Sequence, residues 1–284
     1  MTGSAKKDAN GGTTVGANGG ATVGANGDEK YPGEWIHRFH PTDDSEFRIV
    51  CFPHAGGAAS YFYALSEALA PGLDVLTVQY PGRQDRRAEG CVENFAQLAD
   101  LTYAALRRAD DGRPTVFFGH SMGSILAFEV ARRYQDDTGA PPAWLLASGY
   151  PAPSRLRGGT VHRRDEAGLI EELRSVGGTD PVYLENKHLR TAILEAVRGD
   201  YTAIETHPRV TGVRLDCPLT MLLGDDDPHT TVAEAEAWRD HTTGAFALRV
   251  FEGGHFYLDE YGEDVAGIIS DTVRDLSAAR EAAR

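Results

Sequence analysis

The sequence predicts an α/β protein, with a mainly parallel sheet covered by helices on both faces. Three observations carry that reading. Short, nearly continuous apolar runs recur along the chain with helix-length segments between them, the pattern of strands buried on both sides. The last segment sets Val265, Ile268, Ile269, Val273 and Leu276 at a 3.6-residue period, the stripe of an amphipathic helix. Lastly, Gly119-His120-Ser121-Met122-Gly123 places a serine between two glycines where a strand-like run turns into a helix-like one. A chain of 284 residues, 41% of them hydrophobic, has room for one large domain of this class or two small ones.

In chain order, FRIVCF (47–52) reads as the first core strand, followed by a Gly-rich loop and a helix near 58–69. LDVLTVQY (73–80) is the next strand, ended by Pro81-Gly82, and a helix through 94–108 leads to TVFFGH (115–120). After the helix that runs to about 135, WLLASGY (144–150), PLTMLLGD (218–225) and FALRVFEG (246–253) complete the strand set. Between 150 and 218 no strand signal occurs. Leu169 and Leu173 mark one amphipathic helix there, and Leu189, Ile193, Val197 and Tyr201, four apart, mark another. An insertion of helices over 151–215, at the carboxyl edge of the sheet, stands where a lid would sit. Residues 1–33 form a separate unit: GTTVGANG (12–19) is followed at once by GATVGANG (20–27), with almost nothing to bury. They are expected to be a disordered tail, with the folded domain at 34–284.

Composition removes several function classes. A formal charge of −14 argues against nucleic acid or an anionic membrane as the main partner. No apolar run approaches the ~20 residues that span a bilayer, and the N-terminus lacks the apolar core of a secretory signal. Cys51, Cys91 and Cys217 are odd in number and widely spaced, which fits neither a disulfide framework nor a CxxC site and points to the cytoplasm. No metal site is expected.

The pattern G-x-S-x-G is weak alone; at roughly 7% each of glycine and serine it occurs by chance in about one chain in ten of this length. Its surroundings add force. A nucleophile on a sharp strand-to-helix turn needs small residues two positions either side, which Gly119 and Gly123 supply. Serine needs a base, and the base an orienting carboxylate, in the chain order Ser, Asp or Glu, His. GDDDP (224–228) and GGHF (253–256) each leave a predicted strand at the edge where Ser121 stands. His255 is the expected base among ten histidines. Asp227, furthest from the strand, is the expected partner, with Asp225 and Asp226 left to solvent. An oxyanion hole takes two backbone N–H groups, expected from Met122 and, in the loop Pro53-His54-Ala55-Gly56-Gly57, from Ala55. His54 is expected to shape that loop.

Together FPHAGG (52–57), QYPGRQDRR (79–87), GHSMG, GDDDP and GGHF resemble the type II thioesterases of polyketide and nonribosomal peptide biosynthesis, members of the α/β-hydrolase superfamily, over about residues 34–275. QYPGRQDRR looks closest to members that serve modular macrolide-type synthases. Met122 stands where leucine is also common in that family. The resemblance implies an editing enzyme without cofactor that hydrolyses stalled acyl groups from the phosphopantetheine arm of an acyl or peptidyl carrier protein; a monomer is the simplest expectation. It implies Ser121 as nucleophile, His255 as base, Asp227 as its partner, and Ala55 and Met122 as oxyanion donors. Carrier proteins are generally acidic, so this acidic chain would need a basic docking rim. Arg83, Arg86 and Arg87, with Arg155, Arg157, Arg163 and Arg164, are the candidates. A general carboxylesterase or peptidase, a chain-releasing or macrocyclising acyltransferase, and an idle carrier-binding module are the rival readings. The start at Met1, ahead of a low-complexity tail, favours a stand-alone enzyme over a synthase's terminal domain.

Overall fold

Alternation within the apolar strands sets the architecture, because successive side chains point to opposite faces of a sheet. A computed structural model describes residues 34–179 and 181–284, so the tail and its repeat lie outside the described residues. The seven strands are β1 (Ile36–His37), β2 (Arg48–Phe52), β3 (Asp74–Val78), β4 (Thr115–His120), β5 (Trp144–Ser148), β6 (Leu219–Gly224) and β7 (Phe246–Phe251). Their order across the sheet is β1-β3-β2-β4-β5-β6-β7, with β1 antiparallel to β3 and the other five pairings parallel.

Ile49, Cys51, Val75, Val116, Phe118, Leu146 and Leu222 pack on one face, against α1 (Tyr63–Leu69) and α8 (Gly262–Ala282). The intervening Val50, Phe52, Leu76, Phe117, Leu145, Met221 and Leu223 pack on the other, against α2 (Phe95–Arg108) and α3 (Met122–Thr138). The first ten residues of α3, Met122 to Ala131, are all buried, which makes the helix after Ser121 the centre of that second core. Because β2 to β7 run parallel, the loops after Phe52, His120, Ser148, Gly224 and Phe251 all emerge at one edge. Register holds them level: Phe52 pairs with Gly119, His120 with Ser148, and Gly224 with Phe251.

Several elements differ from the sequence reading. The 58–69 segment is a 3₁₀ turn (Ala59–Phe62) followed by α1. The edge strand β1 has only two residues, too few to show any alternation. A short helix, α7 (Val232–Glu236), lies between β6 and β7; its signal was Thr231-x-x-Glu234, which forms a capping box at its start. The insertion holds α4 (Glu166–Val176), α5 (Pro181–Glu185) and α6 (Lys187–Thr206). Asp165 caps α4 by accepting from the Gly168 N–H at 2.9 Å, and Asn186 caps α6 through the His188 and Leu189 N–H groups. These helices share a small apolar cluster of their own: Val161, Leu169, Leu173, Leu184, Leu194 and Val197. Of the α6 stripe, Val197 is buried and Ile193 and Tyr201 half-buried, whereas Leu189 faces outward, 47% exposed.

Candidate active site

Ser121 stands at the tip of the turn between β4 and α3 with φ 56° and ψ −125°, backbone angles that L-residues adopt only under strain. Its N–H donates to the Ser148 carbonyl at 2.7 Å, which ties the tip to the neighbouring strand. Glycine is obligatory on either side. A Cβ at Gly119 would lie 2.2 Å from the Gly123 carbonyl oxygen, and one at Gly123 would lie 2.0 Å from the Phe52 carbonyl oxygen.

The His255 ring reaches the same tip from the loop after β7. Its Nε2 lies 2.9 Å from Ser121 Oγ, and its Nδ1 lies 2.8 Å from Asp227 Oδ2. All three groups are withdrawn from solvent: Ser121 is 7% exposed, His255 3%, and the Asp227 side chain 0%. The other Asp227 oxygen, Oδ1, accepts the His229 N–H at 2.8 Å, which fixes the plane of the carboxylate. Asp225 and Asp226 point outward, although Asp225 Oδ1 also accepts the Gly253 N–H at 2.9 Å and so fastens the loop that carries His255.

Met122 is the first residue of α3, where a helix N–H has no intrahelical partner, and the helix dipole adds positive potential there. Facing it is the 53–57 loop, whose Ala55 N–H meets no acceptor among the described residues, while the Gly57 N–H is taken by the His54 carbonyl at 2.9 Å. His54 packs edge-on against Tyr61 and Phe256 beneath this loop. Burial, with His255 and Arg83 nearby, pushes its pKa down to about 3, so it is a neutral wall. His120 is likewise held well below the usual imidazole range by burial and His255, and its Nδ1 lies 2.9 Å from Ser148 Oγ. His229, half-buried, stacks edge-on to His255 and brings its Nε2 to 3.4 Å from Glu172 of α4.

Two cavities meet at Ser121. One, of about 350 Å³, runs under α4 and α6 past Tyr61, Leu173, Ile193 and Phe256. The other, of about 420 Å³, runs past Tyr150, Leu156, Arg157 and Glu205. Ala55, Ser121, Tyr201 and His255 line both. Among the described residues no group of His, Cys, Asp or Glu side chains is arranged to hold a metal ion, and no helix is long and apolar enough to cross a membrane.

The expected docking rim needs correction. Arg83 and Arg86 are buried, 6% and 1% exposed, and so cannot meet a partner. Arg83 pairs with Asp200 of α6 at 2.6 and 2.8 Å. Arg86 pairs with Glu89 at 2.7 and 2.9 Å, bonds the Gln79 carbonyl, and lies over the Trp35 ring at 4.2 Å. A guanidinium this deep survives only with such partners. Arg87, Arg155, Arg157, Arg163 and Arg164 are exposed. What the sequence could not disclose is the work of QYPGR. Gln79 Oε1 accepts the Ala59 N–H at 2.7 Å, the Tyr80 hydroxyl donates to the Pro53 carbonyl at 3.0 Å, and Arg83 Nη1 donates to the Gly57 carbonyl at 3.1 Å. The motif is the scaffold of the 53–59 loop.

Comparison with known proteins agrees with this fold. The thioesterase domain family matches residues 47–273. A probable cadicidin biosynthesis thioesterase of Streptomyces griseus is 49% identical over 245 residues, 86% of this chain and 67% of that one. Thioesterase PikA5 of Streptomyces venezuelae is 44% identical over 239 residues, 84% of this chain and 85% of that one. Among solved structures, the type II thioesterase BorB of the borrelidin cluster superposes with a TM-score of 0.78 at 44% identity, covering 84% of this chain and 98% of that one. RedJ, the prodiginine-pathway thioesterase of Streptomyces coelicolor, superposes at 0.76 with 32% identity, covering 86% of this chain and 93% of that one. The chain belongs to the thioesterase domain family and is a thioester hydrolase of the type II class, built on the α/β-hydrolase fold.

Proposed function

We propose that this protein is a stand-alone editing enzyme that hydrolyses stalled acyl groups from the phosphopantetheine arm of acyl carrier proteins in polyketide biosynthesis. The observation that carries the reading is the unbroken hydrogen-bond chain from Ser121 through His255 to Asp227, at the junction of two cavities beneath a helical insertion. Ser121 Oγ attacks the thioester carbonyl while His255 Nε2 takes the hydroxyl proton, and the oxyanion is met by the Ala55 and Met122 N–H groups. The C–S bond breaks, the pantetheine thiolate leaves as thiol with the proton from His255, and an ester to Ser121 remains. His255 then deprotonates a water that attacks this ester; the acid is released and Ser121 regains its proton. Asp227 keeps its charge throughout and stabilises the imidazolium. A thioester is already electrophilic, so selectivity rests on the cavities and on access for the arm. Two cavities at one nucleophile suit a substrate with two limbs, an acyl chain and a pantetheine arm.

An acidic carrier protein would meet the exposed arginines Arg87, Arg155, Arg157, Arg163 and Arg164, of which Arg157 stands at the wall of the second cavity. Arg157→Glu is expected to raise KM for carrier-bound acyl groups and leave KM for a small thioester unchanged. An unchanged KM on carrier substrates would remove this patch from docking. The decisive assay presents acetyl-, propionyl- and longer acyl-carrier proteins and follows deacylation by intact-protein mass spectrometry. Hydrolysis of simple esters with no turnover of any carrier-bound group would replace the proposal with the carboxylesterase reading.

A further inference from the structure

A buried ion pair is poor evidence for stability, since the desolvation of both charges offsets most of their attraction. The Arg83–Asp200 pair therefore calls for another reason. Asp200, 1% exposed, sends Oδ2 to two donors at once: Arg83 Nη1 at 2.6 Å and the backbone N–H of Gly56 at 2.7 Å. Arg83 closes the loop from the other side, donating from the same Nη1 to the Gly57 carbonyl at 3.1 Å. Gly56 has φ +76°, a conformation from which the adjoining peptides rotate readily when nothing holds them. The Gly56 N–H is bound by Asp200 and the Gly57 N–H by the His54 carbonyl, whereas the Ala55 N–H meets no acceptor among the described residues.

The same stretch of α6 packs directly on the turn. A Cβ at Gly56 would lie 2.4 Å from Val197 Cγ2 and 3.7 Å from Val197 Cα, so the turn sits directly against the helix. Tyr201, which follows Asp200 in α6, lines both cavities.

We propose that Asp200, oriented by Arg83, is the positioning residue of the oxyanion hole: by holding the Gly56 N–H it fixes the Ala55–Gly56 peptide and through it Ala55, so that the N–H of the adjoining His54–Ala55 peptide faces the carbonyl under attack. Oxyanion stabilisation thereby depends on the seating of α6, the helix that also shapes both cavities. This rests on the reading of Ser121 as nucleophile and Ala55 as donor, and deepens it.

The test uses a small acyl thioester and an alkylboronic acid, whose adduct on a serine reproduces the tetrahedral intermediate, so no carrier protein is needed. Arg83→Met/Asp200→Leu removes both charges and strands neither. Asp200→Glu keeps the charge pairing and displaces the carboxylate from Gly56 by one methylene. Both variants are expected to lose roughly 100-fold in kcat, the effect of losing one oxyanion donor, with KM within about 3-fold of wild type. Boronate affinity should fall in step with kcat. A folded variant of either kind with wild-type kcat and boronate affinity would overturn the proposal. So would a fall in melting temperature with the ratio of boronate to substrate affinity unchanged, which is the behaviour of a merely structural pair. If the wild-type protein itself hydrolyses no thioester, the functional reading fails instead.

Discussion

Replacing Asp227 by asparagine tests the proposed triad with the smallest change in shape. In the native site Oδ1 accepts the His229 N–H at 2.8 Å and Oδ2 accepts from His255 Nδ1 at 2.8 Å. Asparagine has one acceptor and one donor end, and the His229 N–H can only be met by the acceptor. The amide nitrogen is therefore turned toward His255, whose Nδ1 must become the acceptor. The ring proton then moves to Nε2, the atom 2.9 Å from Ser121 Oγ that has to accept the serine proton. Such a reversed tautomer costs about 10⁴-fold in kcat, or ~5 kcal/mol of barrier at 1.36 kcal/mol per decade. Single-turnover deacylation of a small thioester reads the loss directly, with circular dichroism and the melting temperature showing that the fold is retained. Asp225→Asn and Asp226→Asn are the controls, expected within a few-fold of wild type because neither side chain reaches His255. An Asp227→Asn enzyme within 10-fold of wild type, or equal sensitivity at Asp225, would refute the assignment.

The strain at Ser121, φ 56° and ψ −125°, is relieved by glycine and not by alanine. Ser121→Gly should therefore unfold at a higher temperature than Ser121→Ala, by ~1 kcal/mol or a few degrees in calorimetry, although both are inactive; the reverse order would remove the stored strain. Gly123→Ala drives a methyl to 2.0 Å from the Phe52 carbonyl and should cost about 3 kcal/mol in urea titration, with loss of activity. Glu129, 2% exposed in α3, provides an acid-stability test. Burial pushes its carboxyl up, but His207 at 3.8 Å and the Arg132 and Arg133 guanidiniums at 2.8 Å more than offset that and hold it down at about 2. A depressed carboxyl stabilises the fold above its unfolded value of 4.5, and the contribution is lost as pH falls toward about 2. The stability gap between wild type and Glu129→Gln, measured by urea titration, should accordingly shrink by ~3 kcal/mol between pH 6 and pH 2. A gap independent of pH would show that the pair does not titrate in that window.

Much of this protein is local and therefore legible along the chain. Buried strands announce themselves as apolar runs, and the period-two alternation of Ile49, Val50, Cys51 and Phe52 already assigns each residue to one of two cores. The serine turn is legible because its geometry excludes side chains at Gly119 and Gly123, a demand made by atoms a few residues away or on the adjacent strand. β1 escaped because two residues carry no period, and α7 because its capping box is a four-residue signal.

The site was legible only as candidates. Chain order put an acid and a histidine at the correct edge, but three consecutive aspartates differ only in direction, and direction is set by β6 and the His229 N–H. Composition reads arginine as surface, and so misplaces Arg83, whose partner Asp200 is met only when the chain folds back, and Arg86, which is buried between its local partner Glu89 and the distant Trp35 ring. Asp200 lies 144 residues from the Gly56 amide it holds and 117 from Arg83, a separation across which sequence carries no pattern. The sequence by itself determined the layers, the strand order along the chain and the residue types available for chemistry, because those follow from periodicity and backbone sterics. Only the tertiary structure decided which charges are buried and gave the contacts that turn the Asp227 carboxylate toward His255. It alone showed what holds the Ala55 loop, because those contacts exist only where distant segments meet.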